Sequence, residues 1–327
     1  MKPKQKLSII LIMITIGTLF LNGCMKYKTD LIQDSKENIE NQDSNNKQLP
    51  NTEEEGYKRK NLTFLKMVSS EDCMYSFDKN EISRLKAMNI NSIRICPLYD
   101  MMPDGDVRLV GFKNLYRDLI RKAHNEGWAV LLEPNTAGPQ GFPVISDPRY
   151  LNILYNIAER WAKIAEKENV EFFSPLNEPN SVFVNEDLLN KWIKMSQELR
   201  YSFSGNLVLK LADIGPERIE NIEHYDYLAF DIMWGDNNYE ELKDYLDIAT
   251  EKANNLKERY NLKGVFFGEL GAENSMVDES TQAEIFRIIL NETWNKIDGY
   301  CFLGWSNLEF SFKDRKGEDV IKEWFSR

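Results

Sequence analysis

The feature that most constrains the fold is an alternation. From Leu62 onward, short apolar runs take turns with longer segments of helical periodicity. The runs are Leu62–Val68, Ile90–Leu98, Trp128–Pro134, Val170–Leu176, Asn206–Asp213, Tyr225–Trp234, Lys263–Leu270 and Gly299–Asn307. Between and after them lie helical patterns over Phe77–Asn89, Val110–Gly127, Asp147–Asn169, Asn185–Ser202, Asn238–Tyr260, Ser280–Ile297 and Glu318–Arg327, with a shorter helical turn over Glu217–Glu223. Runs that are apolar throughout, rather than at every second residue, belong to parallel strands whose outer face is covered by helices. Eight such strands in βα alternation are most economically closed into a (β/α)8 barrel. Local punctuation agrees. Asp78 is placed to cap the first helix, Asp147 with Pro148 to open the third, and Gly127 to close the second in the left-handed conformation.

The chain before the first run has a different character. Met1–Lys6 is basic, and Leu7–Leu21 is an almost unbroken apolar run, shorter than the roughly 20 residues that span a bilayer. It ends in Leu-Asn-Gly-Cys at residues 21–24. A basic start, a short apolar stretch and a small residue before cysteine resemble a bacterial lipoprotein signal peptide. That resemblance implies removal of residues 1–23, lipidation of Cys24 and export to the outer face of the cell membrane. Residues 24–58 are rich in Asn, Asp, Glu, Gln, Ser and Lys, too polar to bury the apolar surface that offsets ordering entropy. They are expected to form a flexible tether, with residues 59–327 as the catalytic domain.

Composition excludes several classes of function. A formal net charge of −11 without a basic stripe argues against nucleic-acid binding. Besides Cys24, the cysteines Cys73, Cys96 and Cys301 are scattered and odd in number, so neither a disulfide framework nor a zinc site is expected. With only His124 and His224 in the chain, a histidine metal site or a Ser-His-Asp triad lacks its parts. No cofactor or metal is expected, and a monomer is.

In a (β/α)8 barrel, function gathers at the C-terminal ends of the strands. Here those ends carry Arg94, Tyr99 and Asp100 on the second run, Glu133 and Asn135 on the third, and Asn177 and Glu178 on the fourth. Asp213 follows on the fifth, Asp231 and Trp234 on the sixth, Glu269 with Glu273 and Asn274 on the seventh, and Trp305 and Asn307 on the eighth. Two carboxylates facing one cleft can divide the work of glycoside hydrolysis. One protonates the leaving oxygen and the other meets the oxocarbenium-like centre, while aromatic rings match the C–H faces of sugars. Tyr225 and Tyr227 start the sixth run, at the far end from this rim, and are expected to be structural.

The segments Leu-Asn-Glu-Pro-Asn (176–180), Phe-Phe-Gly-Glu-Leu-Gly (266–271), Ser-Ile-Arg-Ile-Cys-Pro (92–97) and Phe-Leu-Gly-Trp-Ser-Asn (302–307) resemble those of glycoside hydrolase clan A. This is the superfamily of barrel glycosidases that includes the family 5 cellulases and mannanases. The resemblance implies Glu178 as acid/base, Glu269 as nucleophile, Arg94 as support for that nucleophile, and Asn177 as a contact for the sugar 2-hydroxyl. It also implies Trp305 as the floor of a sugar subsite; Asn135 and Trp234 are the further expected carbohydrate contacts. The third run ends Glu-Pro-Asn and the sixth ends in Asp-Ile-Met-Trp-Gly-Asp, where family 5 usually carries a histidine and a His-x-Tyr pair, so the resemblance is to the clan. A catalytically silent barrel that binds glycan or another surface ligand is the alternative, and the presence of both glutamates favours the enzyme.

Overall fold

The computed structural model describes residues 57–69, 78–101, 106–111, 113–137, 145–183, 185–214, 219–305 and 309–327. The expected signal peptide, most of the expected tether, Cys24, Cys73 and Asn307 lie outside the described residues.

The expected barrel is present. In chain order its elements are β1 (Leu65–Ser69), α1 (Lys79–Ala87), β2 (Ser92–Ile95), α2 (Lys113–Asn125), β5 (Ala129–Leu132), α3 (Arg149–Lys167) and β7 (Phe172–Phe173). There follow a single-turn helix α4 (Pro179–Val182), α5 (Glu186–Ser196), β8 (Asn206–Leu211), β9 (Tyr227–Met233), α6 (Tyr239–Tyr260), β10 (Gly264–Gly271), α7 (Glu279–Thr293), β11 (Gly299–Phe302) and α8 (Lys316–Phe325). All neighbouring strands are parallel, and the sheet closes in the order β1-β11-β10-β9-β8-β7-β5-β2.

These elements belong to one compact unit, made of Arg59–Leu98, Leu109–Asn135 and Val144–Arg327. A second unit includes Tyr99–Arg108 and Thr136–Pro143. A three-stranded sheet is formed by β3 (Leu98–Met101), β4 (Val107–Leu109) and β6 (Asn135–Ala137), in the order β4-β3-β6. The second run, Ile90–Leu98, reaches only the first residue of β3, and β3, β4 and β6 are not expected as strands, because three- and four-residue strands show no periodicity.

Local chemistry explains most element ends. The Asp78 carboxylate accepts from the N–H groups of Asn80 and Glu81, Asn185 from Leu188, Asn238 from Glu241 and Asp278 from Thr281. Asp147 accepts from the Arg149 N–H across Pro148, which is already helical. Gly127 takes φ 82° after α2. The expected helical turn at Glu217–Glu223 is not formed over its described part, Ile219–Glu223.

The barrel interior is filled by Leu65, Met67, Leu131, Phe172, Val208, Tyr227, Ala229, Phe266 and Cys301. Tyr227 is therefore core, as expected, and the Tyr225 hydroxyl is buried against Ser196. Cys96 and Cys301 are buried thiols, with no disulfide between them.

Candidate active site

Side chains on a strand alternate between faces, so residues two apart share one. Met67, Leu131, Val208 and Ala229 point into the barrel. Two residues further along the same strands lie Ser69, Glu133, Lys210 and Asp231, one layer nearer the C-terminal rim. Arg94 enters this layer from β2, and all five are buried. On β10 the alternation is interrupted. Its pairing with β9 shifts register between Phe267 and Glu269, so that Glu269 lies opposite Asp231. A bulge of this kind re-aims a side chain, and here it turns Glu269 toward Arg94 and Lys210. Gly268 supplies the room: a Cβ at that position would lie 2.8 Å from Cε of Lys210 and 3.0 Å from Oδ1 of Asp231.

Two cations organise the layer. Arg94 donates through Nε and Nη2 to Oε1 of Glu133 at 2.9 and 2.6 Å. The same Nη2 lies 2.6 Å from Oε1 of Glu269 and 3.4 Å from Oδ1 of Asn177. Lys210 Nζ donates to Oδ2 of Asp231 at 2.7 Å, to Oε1 of Glu269 at 3.1 Å and to Oδ1 of Asn177. It also lies 3.9 Å from Oε1 of Glu178. Both cations contact Oε1 of Glu269, which leaves Oε2 as the oxygen placed to react. Both also contact the carbonyl end of the Asn177 amide. That fixes the amide's orientation and turns its NH2 donors the other way.

Glu178 follows β7 and stands directly before Pro179, in the left-handed conformation at φ 47° and ψ 55°. A glutamate has no short side chain to relieve that conformation, and non-glycine residues rarely adopt it. Proline also disfavours the right-handed helical region for the residue before it. The chain is held there by Asn177 N–H donating to Pro134 O, and by Val182 N–H donating to Glu178 O as α4 begins. Backbone strain of this sort collects at functional sites. The carboxylate oxygens of Glu178, Asp231 and Glu269 lie within 4.8 Å of one another.

The electrostatics divide the carboxyls. Burial by itself would push Glu269 up, but Arg94 and Lys210 outweigh it and hold Glu269 below the usual carboxylate range. Burial pushes Asp231 well above that range, and the neighbouring Glu269 and Glu178 add to the effect of burial, against the opposing pull of Lys210. Burial works against a charged Lys210, yet the surrounding carboxyls more than offset it and keep the ammonium protonated. Three carboxylates this close could converge on a divalent cation. Lys210 already stands among them, however, and its positive charge opposes an added metal ion.

The remaining expected site residues are less uniform. Asn135 begins β6, with its N–H donating to Pro97 O at 2.9 Å, and is half-buried. Trp234 follows β9 half-buried, its backbone N–H donating to Gly271 O and its ring tilted against Tyr245. Trp305 is only 1 % exposed. Its indole N–H donates to Glu81 at 2.6 Å, Phe312 meets its ring edge-on, and the Arg84 guanidinium lies 5.3 Å from the ring centre. Glu273 and Asn274 are engaged in the loop after β10, through Ser275 and through Gln282 and Ser311. Asp213 accepts from Asn180 at 3.4 Å, and Tyr99 and Asp100 lie on β3 of the second unit.

Lys210 is the site residue that the sequence reading missed. On the fifth strand only the tip was considered, and that meant Asp213. The signal was present: a lone charge in the apolar run Leu-Val-Leu-Lys-Leu, two residues from an inward-facing valine.

No family model matches the chain in sequence, and no curated protein does. Solved structures do match its fold. A GH113 β-1,4-mannanase in complex superposes with a TM-score of 0.65 at 15 % identity, over 81 % of this chain and 99 % of that one. The GH113 β-mannanase of Alicyclobacillus acidocaldarius, in complex with ManMIm, gives 0.63 at 15 % identity over 81 % and 98 %. A GH5 family lichenase from Caldicellulosiruptor sp. F32 gives 0.57 at 13 % identity over 78 % and 86 %. The fold is therefore one that glycoside hydrolases use, and function has to be argued from the site itself.

Proposed function

We propose that this chain is a retaining β-glycoside hydrolase that cleaves a poly- or oligosaccharide at the cell surface. The observation that carries the reading is the pair Glu178 and Glu269. One carboxylate oxygen of each lies within 4.8 Å of an oxygen of the other. That fits the roughly 5 Å separation of retaining enzymes rather than the roughly 6.5–9.5 Å that leaves room for water in inverting ones.

The surroundings support a division of roles. Glu269 is held ionised by Arg94 and Lys210, as a nucleophile must be. Its Oε2 attacks the anomeric carbon while Glu178 gives its proton to the departing glycosidic oxygen and the C–O bond breaks. A glycosyl ester on Glu269 results. Glu178, now a carboxylate, takes a proton from water; the hydroxyl attacks the same carbon, and Glu269 leaves as a carboxylate. Two inversions give net retention. Asn177, its carbonyl end held by the two cations, offers its NH2 group to the sugar 2-hydroxyl. Trp234, Trp305 and Asn135 are the remaining proposed carbohydrate contacts. The relatives in fold that bear the names mannanase and lichenase support a carbohydrate substrate.

The test is stereochemical. Proton NMR of the wild-type reaction is expected to show the retained anomer first, and the inverted anomer first would refute the mechanism. Glu178→Ala is expected to lose activity on poor leaving groups, to keep glycosylation with activated ones, and to give a β-glycosyl azide with added azide. Glu269→Ala is expected to lose turnover of the same substrates. Surface location rests on the lipoprotein-like start, and labelled fatty acid is expected to enter the wild-type chain in its host but not Cys24→Ala.

A further inference from the structure

Lys210 contacts the proposed nucleophile, the proposed 2-hydroxyl contact and Asp231 at once, as Arg94 contacts the first two together with Glu133. Lys210 is 0 % exposed, so it cannot itself meet a substrate. Ordering and burying a lysine ammonium is costly, and a chain retains one only where its partners outweigh desolvation. Here the chain also gives up a side chain for it, since Gly268 is the position over which its stem passes.

We propose that Lys210 is a positioning residue of the reaction: its buried ammonium aligns the carboxylate of Glu269 with the amide of Asn177 and supplies half of that carboxylate's counter-charge. This rests on the glycosidase reading for its chemical meaning. The geometry explains why one arginine does not suffice. Arg94 divides its guanidinium between Glu133 and Glu269, so one positive charge faces two buried carboxylates. Four carboxyls, Glu133, Glu178, Asp231 and Glu269, line the layer against two cations, Arg94 and Lys210. Two positive charges cannot offset four ionised carboxyls, and Asp231 is the one that burial pushes well above the usual carboxylate range. Asp231 fits the neutral role. Its Oδ1 is buried without a donor, and the Glu178 carboxyl lies against it, so a proton on Asp231 converts that contact into a hydrogen bond. The other titratable groups facing the layer are the buried Cys96 thiol, which accepts from Arg94 at 3.3 Å, the buried Cys301 thiol and, beside Asp231, Tyr245 with Asp213. Burial pushes both Cys301 and Tyr245 up, so neither adds charge at neutral pH.

The sign of the effect follows. Glu269 is depressed by its two cations, so it stays ionised down to acid pH. Removing Lys210 removes one of the two causes, and the Glu269 titration must move up.

The experiment compares wild type with Lys210→Met and Lys210→Gln, each first checked for native circular dichroism. Glutamate is labelled at its side-chain carboxyl carbon, the Glu269 signal is assigned with Glu269→Gln, and its titration is followed by carbon NMR without substrate. The expected result is an upward move of the Glu269 midpoint by about one pH unit or more, a tenfold change in its ionisation constant. Kinetically, the acid limb of kcat/KM is expected to rise with it. The loss of kcat is expected to be at least tenfold smaller on an aryl glycoside lacking the 2-hydroxyl, because Asn177 has nothing to hold there. An unmoved Glu269 midpoint in a folded variant, or an equal loss on both substrates at every pH, overturns the proposal. If both lysine variants fail to fold, Gly268→Ala keeps the lysine and displaces it, and the same titration decides. A wild-type chain that turns over no glycoside refutes the glycosidase reading, whereas the titration needs no turnover and still decides whether Lys210 governs Glu269.

Discussion

Replacing Gly268 with alanine adds one methyl group at the tightest point of the site. Its Cβ would stand 2.8 Å from Lys210 Cε, 3.1 Å from Lys210 Cδ and 3.0 Å from Asp231 Oδ1. Carbon atoms rest at about 3.5–4.0 Å, so the lysine stem has to move by about 1 Å. It has nowhere cheap to go, being fully buried and tied to Asp231, Glu269 and Asn177. A shift of that size takes the 3.1 Å bond to Glu269 beyond hydrogen-bonding range. Overpacking and a weakened charged hydrogen bond together put the cost at about 2–3 kcal/mol. In a domain of this size that is roughly 4–12 °C of melting temperature. Gly235→Ala is the control. Its Cβ would lie as close, 2.7 Å, to Cε of Met276, but that methionine is 46 % exposed and can swing away. The expected cost there is within about 0.5 kcal/mol. Calorimetry of both variants, with pH-dependent melting for Gly268→Ala, measures the difference. Equal melting temperatures for the two would show that Lys210 is not held where its contacts place it.

Three further outcomes follow from other contacts. Gly299→Ala drives a Cβ to 2.5 Å from Leu65 Cβ and 2.8 Å from its backbone N and O, at the pair where β11 closes the barrel on β1; backbone cannot swing aside, so loss of soluble folded protein is expected, and a cooperative melt near wild type would contradict it. Trp305→Phe removes the 2.6 Å bond to Glu81 and is expected to lower stability by about 1–3 kcal/mol with KM little changed, whereas Trp234→Ala should raise KM severalfold with stability nearly kept; glycan kinetics and urea unfolding separate the two. Burial pushes Glu168 up, but Arg121 and Arg117 outweigh it and hold its carboxyl below the usual range. Its contribution is therefore present above the unfolded value and lost as pH falls through the folded one. Glu168→Gln should lose stability at neutral pH and show a flatter acid side in urea titrations from neutral to acid pH.

The barrel was legible because its signal is redundant. Eight apolar runs, helix starts at Asp78 and at Asp147 with Pro148, and the left-handed Gly127 all point to one closed sheet, and each strand only has to be recognised as a strand. The three-stranded sheet was not legible, because β3, β4 and β6 are too short to carry a period. The same holds for the lengths of the barrel strands. The fourth run was read over Val170–Leu176, yet only Phe172 and Phe173 pair on both sides as β7, since the chain must leave the ladder early to reach the left-handed turn at Glu178.

The site was legible on most strands and least so on the fifth. Arg94 was named within its strand and Asn177, Glu178 and Glu269 at strand ends, and they do converge. Lys210 lies inside its strand, and finding it requires the parity of the strand, which an apolar run conceals because every position looks alike. Trp305 is read as a platform from its place at a strand end, and in the structure its indole N–H meets Glu81 and its ring meets Phe312 and Arg84. Both residues illustrate one point. Position along a strand tells which end of the barrel a residue occupies, whereas its direction depends on parity and on bulges. At β10 the two disagree: without the register shift at Gly268, an inward-facing Phe266 would put the inward direction on residue 268, and Glu269 would face the helices. One glycine thus turns Glu269 into the barrel and admits the lysine that neutralises it, so the carboxylate and its counter-charge depend on the same residue.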